Sequence, residues 1–303
     1  MSSLKIFLFN GVKVVPEGAS SSPDITPLVE KLLACLVLHR KRSVPRDKLI
    51  EIFWSDASDK RARASLSTAL WRLRRALEPD DILQEPYIRT EPTDKVSFNW
   101  ESDHWIDMIV FEETIKKSIS IPLNECKPRE IQRLEEAVNL YTGDLLPGYY
   151  QDWSLREQER MRVLHGKALT YLLQYYRDHG MLEKSIDSGI LLLRHYPLRE
   201  DVHRQMMRLY NAAGQRALAV KQYKKCSGLL NDELGIEPLE ETKALYHQIT
   251  ADGGHMSPGG DFVEDQDTLQ ITRQKLQTVK RRVDQLSSQL KASLEFIDRM
   301  YSE

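Results

Sequence analysis

Apolar residues alternate between Leu4 and Val15, recur every three to four residues further on, and alternate again between Tyr87 and Trp100. The first stretch, with Phe7, Phe9 and a turn at Asn10-Gly11, predicts a short hairpin or paired strands. Residues 20–24 read as a loop. Thr26 caps a helix with Pro27 in its first turn, and Leu28, Leu32, Cys35, Leu36 and His39 form its core stripe. Arg40, Lys41 and Arg42 sit at the negative end of its dipole. Residues 43–47 restart the chain, and residues 48–54 predict a second short helix that buries Leu49, Ile50 and Phe53. A turn at 55–58 leads to Asp59, the expected cap of a third helix. Two extended segments, 87–90 and 95–100, flank a turn at 91–94.

Strands, three helices and a hairpin in this order make a winged helix-turn-helix. The third helix, 59–78, carries the chemistry. Ala62, Leu66, Ala69, Leu70, Leu73 and Leu77 gather on one stripe that must be buried. Lys60, Arg61, Ser67, Thr68, Trp71, Arg72, Arg74 and Arg75 occupy the rest of the cylinder, a face that repels itself unless something anionic answers it. Such a helix is either a solvated Arg-rich surface or the reading element of duplex DNA, since a major groove about 12 Å wide admits it. On the second reading Ser67, Thr68, Trp71, Arg72, Arg74 and Arg75 face the bases. Arg40, Lys41, Arg42, Arg46, Lys60, Arg61, Arg63 and the wing's Lys95 meet phosphate, which sets affinity and register more than sequence choice. Trp71 either presses on sugar or a thymine methyl, or packs on the hairpin or another domain.

From residue 107 to 251 the pattern is helical. Gly180 and Gly214 lie 34 residues apart, and the same spacing aligns Leu172 with Met206, Leu173 with Met207, Tyr176 with Tyr210, Ser185 with Ala219, Ile186 with Val220 and Leu192 with Cys226. That is the tetratricopeptide period, two antiparallel helices per unit. Residues 129–143 and a long helix from near Asp152 precede the repeats, and residues 240–249 cap them. The concave face of such a stack takes a peptide or a protein domain unless it is filled from within. Residues 252–264 read as a linker rich in Gly. Beyond it, Leu269, Leu276, Val283, Leu290 and Ile297 mark one line of a heptad pattern, and Thr272, Val279, Leu286, Ser293 and Met300 the other. That helix either pairs two copies, docks on another protein or packs back on the repeats.

A chain of 303 residues accommodates the two domains and the extra helix. The net charge of −2 averages over an uneven chain: residues 31–75 hold twelve Lys or Arg against four Asp or Glu, a surplus that suits nucleic acid. Cys35, Cys126 and Cys226 are widely spaced without a CxxC, which suggests neither a disulfide framework nor a zinc ribbon. No secretory leader and no long uncharged apolar run is visible, so the expectation is a cytoplasmic protein without a membrane partner. Asp103, His104 and Asp107 lack a further ligand at metal spacing, and no activated nucleophile or poised base stands out. No metal, cofactor or catalytic residue is expected.

PRDKLIEIFWSD at 45–56 followed by RARASLSTALWRLRRALEP at 61–79, then Tyr141-Thr-Gly-Asp-Leu-Leu-Pro147, Trp153, Glu157 to Arg160, His195 to Glu200, His203, Met207, Tyr210, Glu233 to Pro238, Thr242 and Leu245-Tyr246, resemble the Streptomyces antibiotic regulatory protein family. The resemblance covers residues 4–250. It implies an OmpR-type winged helix followed by a bacterial transcriptional activator domain of tetratricopeptide-like repeats. It implies further a regulator that binds direct repeats near promoters and contacts RNA polymerase, with Ser67, Trp71, Arg72 and Arg74 facing the groove. The family's Gly-Tyr pair in the wing is replaced by DKVSFN at 94–99, which leaves Lys95 alone as a wing contact. No Walker motif follows the activator domain, and no receiver domain precedes the winged helix.

The sequence therefore predicts a mainly α chain. Its parts are a winged helix with small β elements at 1–106, helical repeats at 107–251, a linker at 252–264 and a heptad helix at 265–303. Its expected function is sequence-specific transcriptional regulation on double-stranded DNA, with activation through RNA polymerase, as a homodimer or higher homo-oligomer. The competing reading is a repeat-based adaptor whose winged helix binds protein.

Overall fold

Asn10 and Gly11 both adopt left-handed backbone angles, φ 61° and 113°, and turn the chain between β1 (Leu4–Phe7) and β2 (Lys13–Pro16). Among the residues that the computed structural model describes, 4–16, 25–40, 42–77 and 87–251, this antiparallel pair is joined by a strand the sequence pattern did not reveal. That strand is β6 (His104–Ile106), parallel to β1 with Leu4 opposite His104. Three residues are too few to show a period.

The helix α1 (Pro27–Leu38) follows Thr26, whose backbone carbonyl accepts from Val29 N at 2.8 Å while its hydroxyl makes no capping bond. The expected one-sided stripe is wrong in two respects. Leu28 is exposed, and Val29 together with every residue from Leu32 to Leu38 is buried. The helix lies between α3 (Asp59–Leu77) and α6 (Asp152–Asp178), so it has no solvent side along most of its length. A two-residue strand, β3 (Val44–Pro45), precedes α2 (Arg46–Trp54), which starts two residues ahead of the expected position. β3 pairs antiparallel with β5 (Lys95–Phe98), which pairs with β4 (Ile88–Thr90) to complete the wing. Asp59 does not cap α3. Ala62 N donates to Ser58 O at 2.9 Å, which places Ser58 at the boundary and Asp59 in the first turn, where its charge suits the dipole.

The helical part continues through α4 (Asp107–Ile119), a 3-10 turn at Leu123–Glu125, α5 (Pro128–Asn139), α6, α7 (Leu182–His195), α8 (Glu200–Ala212), α9 (Arg216–Leu234) and α10 (Glu240–Ala251). The 34-residue period is physical. Gly180 and Gly214 both turn with φ near 70°, and the residue after each donates to the tyrosine four positions before the glycine: Met181 N to Tyr176 O and Gln215 N to Tyr210 O, both at 2.8 Å. Ser185, matched to Ala219, is buried and donates its hydroxyl to Leu173 O at 2.8 Å.

Close approach of α7 to its neighbours depends on Gly189. A Cβ there would stand 2.1 Å from Met206 Sδ and 3.2 Å from Leu173 Cδ1. Gly189→Ala gains up to about 1 kcal/mol of helix propensity. Overpacking of up to about 3 kcal/mol outweighs that gain, so the expected net loss is about 2 kcal/mol. Urea denaturation checks it; a midpoint at or above that of the wild type would contradict the packing.

The winged helix and the repeats form one compact unit ending at Ala251. The linker and heptad helix expected at 252–264 and 265–303 lie outside the described residues, as do Lys41 and the loop at 20–24. Inside the compact unit the halves are joined through backbone. The Asp107 carboxylate accepts from Leu8 N at 2.9 Å, Phe9 N at 3.0 Å and Met108 N at 2.6 Å. Leu146 N donates to Leu8 O and Asn10 N to Asp144 O, each at 3.0 Å, so the Tyr141 to Pro147 segment is laid along the N-terminal hairpin. Burial pushes the Asp107 carboxyl up to about 6, against the pull of its three N–H donors. This residue was one of the acids beside His104, and it serves as a backbone acceptor.

Candidate nucleic-acid interface

The stripe predicted for α3 is its buried face: Ala62, Leu66, Ala69, Leu70, Leu73 and Leu77 are at most 3% exposed. Burial of these side chains fixes the helix's rotation, and with it which side chains meet solvent. Lys60, Arg61, Arg63, Ser67, Thr68, Trp71, Arg72 and Arg75 are exposed, whereas Arg74 is half-buried.

These side chains fall into two groups. Arg46 donates to Ser67 Oγ at 2.7 Å and lies 3.6 Å from Asp94 in the wing turn, while Ser67 Oγ donates to Arg63 O at 2.9 Å. Thr68 donates to Ala64 O at 3.0 Å, and Arg63 pairs with Asp47 at 2.9 Å. Arg74 turns away from the exposed face and donates to Thr90 Oγ1 at 2.7 Å and Ile88 O at 3.4 Å. These contacts tie α3 to α2 and the wing. Lys60, Arg61 and Arg72 stand on the open face outside any such pairing among the described residues, and the Arg75 guanidinium lies 5.7 Å from the centroid of the Trp71 ring. Trp71 itself is 60% exposed.

Arg40 has a different place. Its left-handed backbone, φ 53°, swings it off the end of α1, and its guanidinium pairs with Glu112 of α4 and, at 3.5 Å, with Glu157 of α6. Arg160 and Lys116 close on the same Glu112, Lys116 at 2.5 Å. A cation already engaged by a buried carboxylate is a poor phosphate ligand. Arg42 is exposed two residues on, and Lys95 is half-buried in β5 at the wing. Among the described residues no group of three or more His, Cys, Asp or Glu could hold a metal ion.

Two family models match this chain in tandem. Residues 21–93 match the C-terminal domain of transcriptional regulatory proteins, and residues 106–250 match the bacterial transcriptional activator domain. The chain belongs to the Streptomyces antibiotic regulatory protein-like regulators. It is 26% identical over 227 residues to the transcriptional regulatory protein MoaR1 of Mycobacterium bovis, covering 74% of this chain and 72% of that one. To the regulatory protein AfsR of Streptomyces coelicolor it is 24% identical, but it spans 22% of that longer protein. Among solved structures, Mycobacterium tuberculosis EmbR in complex with a low-affinity phosphopeptide superposes with a TM-score of 0.62 at 22% identity, over 83% of this chain and 66% of that one. That likeness supports the fold.

The regulator's family motif then has a structural explanation. Tyr141 donates to Asp144 at 2.7 Å and stacks on His165, and Gln158 donates to Leu146 O and Tyr149 O at 3.1 and 2.9 Å. Gly143 approaches Asn10 so closely that a Cβ would lie 3.2 Å from its side chain. Glu112, Arg160 and Asp107 carry this union. The sequence marked Arg160 only as part of the family motif and Asp107 only as an acid beside His104, and it did not mark Glu112 at all; a Glu with ordinary helical spacing gives no sign of partners 48 and 72 residues away.

Proposed function

We propose that this DNA-binding transcriptional regulator reads double-stranded DNA with the exposed face of α3, using Arg72, Trp71 and Arg75 toward the bases and Lys60, Arg61, Arg42 and Lys95 toward phosphate. Ser67 and Thr68 remain groove-facing acceptors, because their hydroxyl protons are already given to backbone carbonyls. Arg46, Arg63 and Arg74 hold the reading helix against α2 and the wing. The observation that carries the proposal is the coincidence of a fully buried apolar stripe with an open, cationic opposite face on one helix.

The regulator acts by binding, in the cytoplasm where the chromosome lies, and the domain division falls at residues 106 and 107. The repeats recruit RNA polymerase, and the hydrogen-bonded union of the two halves holds them at a fixed angle to the promoter. Two or more copies, paired through the heptad pattern at 265–303, occupy repeated half-sites and raise each other's effective concentration.

Footprinting on DNA flanking the regulator's own gene is expected to show protection of two spaced segments. With about four phosphate contacts per copy, log affinity falls with log salt at a slope of about −4 per copy. Salt-insensitive binding, or none, would support the adaptor reading instead.

A further inference from the structure

On the side of the stack formed by the second helix of each pair, α7 and α9 enclose a groove of about 580 Å³. Ile190 and Leu218 form its apolar floor at 44% and 43% exposure, with Tyr210 of α8 behind them. Lys221, Lys224 and Lys225 line it, and no carboxylate does. Leu218, Lys221 and Lys225 share one stripe of α9 at helical spacing. None of the three lysines is in an ion pair among the described residues.

Cations nearby are treated otherwise. Lys184 pairs with Glu135 at 3.0 Å, Lys243 with Glu237 and Glu240, and Arg204 with Glu200 and Glu241. Nor does the repeat geometry demand cations at these places. Thirty-four residues earlier the equivalents of Leu218, Lys221, Lys224 and Lys225 are Lys184, Asp187, Ile190 and Leu191. Like charges one turn apart repel, so the second unit keeps three uncompensated ammonium groups beside exposed Ile and Leu. Phosphodiester backbone would satisfy the lysines but would seal two apolar side chains under charge. A helix with carboxylates along one edge and large apolar side chains on the adjoining face answers both, in the helix-in-groove manner, while the lysine stems extend the apolar floor.

We propose that the α7–α9 groove docks an acidic amphipathic helix presented by a protein partner of the regulator. This rests on the reading of the repeats as the recruiting part, and it is separable from DNA reading by α3.

The test is fluorescence anisotropy of the full chain with a labelled synthetic helical peptide of about 18 residues, Leu and Phe on one face and Glu on the other. Saturable binding is expected. Lys221→Glu with Lys224→Glu is expected to weaken it on the order of tenfold or more, and Leu218→Ser several-fold, roughly in proportion to the apolar contact removed. All three positions are exposed, and an unchanged circular dichroism melt confirms folding. DNA affinity stays at the wild-type value in both variants, and Arg72→Ala leaves peptide binding unchanged, so failure of the DNA reading shows separately. Absent binding, or equal binding of an all-Glu peptide or of a scrambled peptide without an apolar face, would overturn the proposal. So would loss of DNA affinity on charge reversal, which would make the groove a nucleic-acid surface.

Discussion

Glu112→Ala is expected to lower the regulator's unfolding free energy by about 2–3 kcal/mol, less than the roughly 3–5 kcal/mol that removing one member of a fully buried ion pair costs. The Glu112 side chain is 3% exposed and receives Arg40 from the end of α1, Arg160 from α6 and Lys116 from its own helix. Without it three cations face each other where the winged helix meets the repeats. Their exposures of 37%, 34% and 60% let them turn to water, which discounts the penalty. Burial alone would raise the Glu112 carboxyl, but the hydrogen bonds from Arg160, Lys116 and Arg40 outweigh it and hold it at about 2. A depressed carboxyl stabilises the fold at pH above its ordinary value of 4.5 and loses that contribution as pH falls toward 2. Glu112→Gln, which keeps the shape and removes the charge, should therefore differ most from wild type at neutral pH and converge with it in acid. Urea titrations at neutral pH and near pH 3 read this directly. A gap that widens in acid would mean that Glu112 is not held ionised by its three partners.

Local pattern and long-range partnership separate what the sequence revealed from what it concealed. The α3 stripe was legible because six apolar residues on a 3.6-residue period leave no other face to bury, and the repeat was legible because two glycines need the same left-handed turn. α1 was misread for the opposite reason. Its burial comes from α6, more than a hundred residues away, so no single face of its sequence marks the core. The basic residues on and around α3 were legible as a set but not as individuals. Arg40, Arg46, Arg63 and Arg74 look like Arg72 in composition; the acids, hydroxyls and carbonyls that engage them come from α4, α3, α2 and the wing. β3 and β6, of two and three residues, exist through pairing with strands elsewhere and leave no periodic trace.

That separation predicts opposite behaviour for two arginines two residues apart. Arg72→Ala is expected to cost about 1–3 kcal/mol at the cognate site, the range for losing a bidentate contact to guanine. The loss should be concentrated at one base pair of each half-site, with little change on unrelated DNA. Arg72 is exposed on the open face of α3, so its removal leaves the protein's own packing intact. Arg74 is different. It spans from α3 to Thr90 and Ile88, so Arg74→Ala releases the wing from α3 and removes hydrogen bonds worth about 1 kcal/mol of stability. Its DNA affinity should fall by a similar factor on every sequence, and its melting temperature should drop where that of Arg72→Ala does not. Binding measured on the site and on a panel of single-base variants distinguishes the two patterns. Unchanged binding by Arg72→Ala would remove α3 from the reading role. A changed base preference in Arg74→Ala would mean that Arg74 leaves Thr90 on the DNA and reads a base itself.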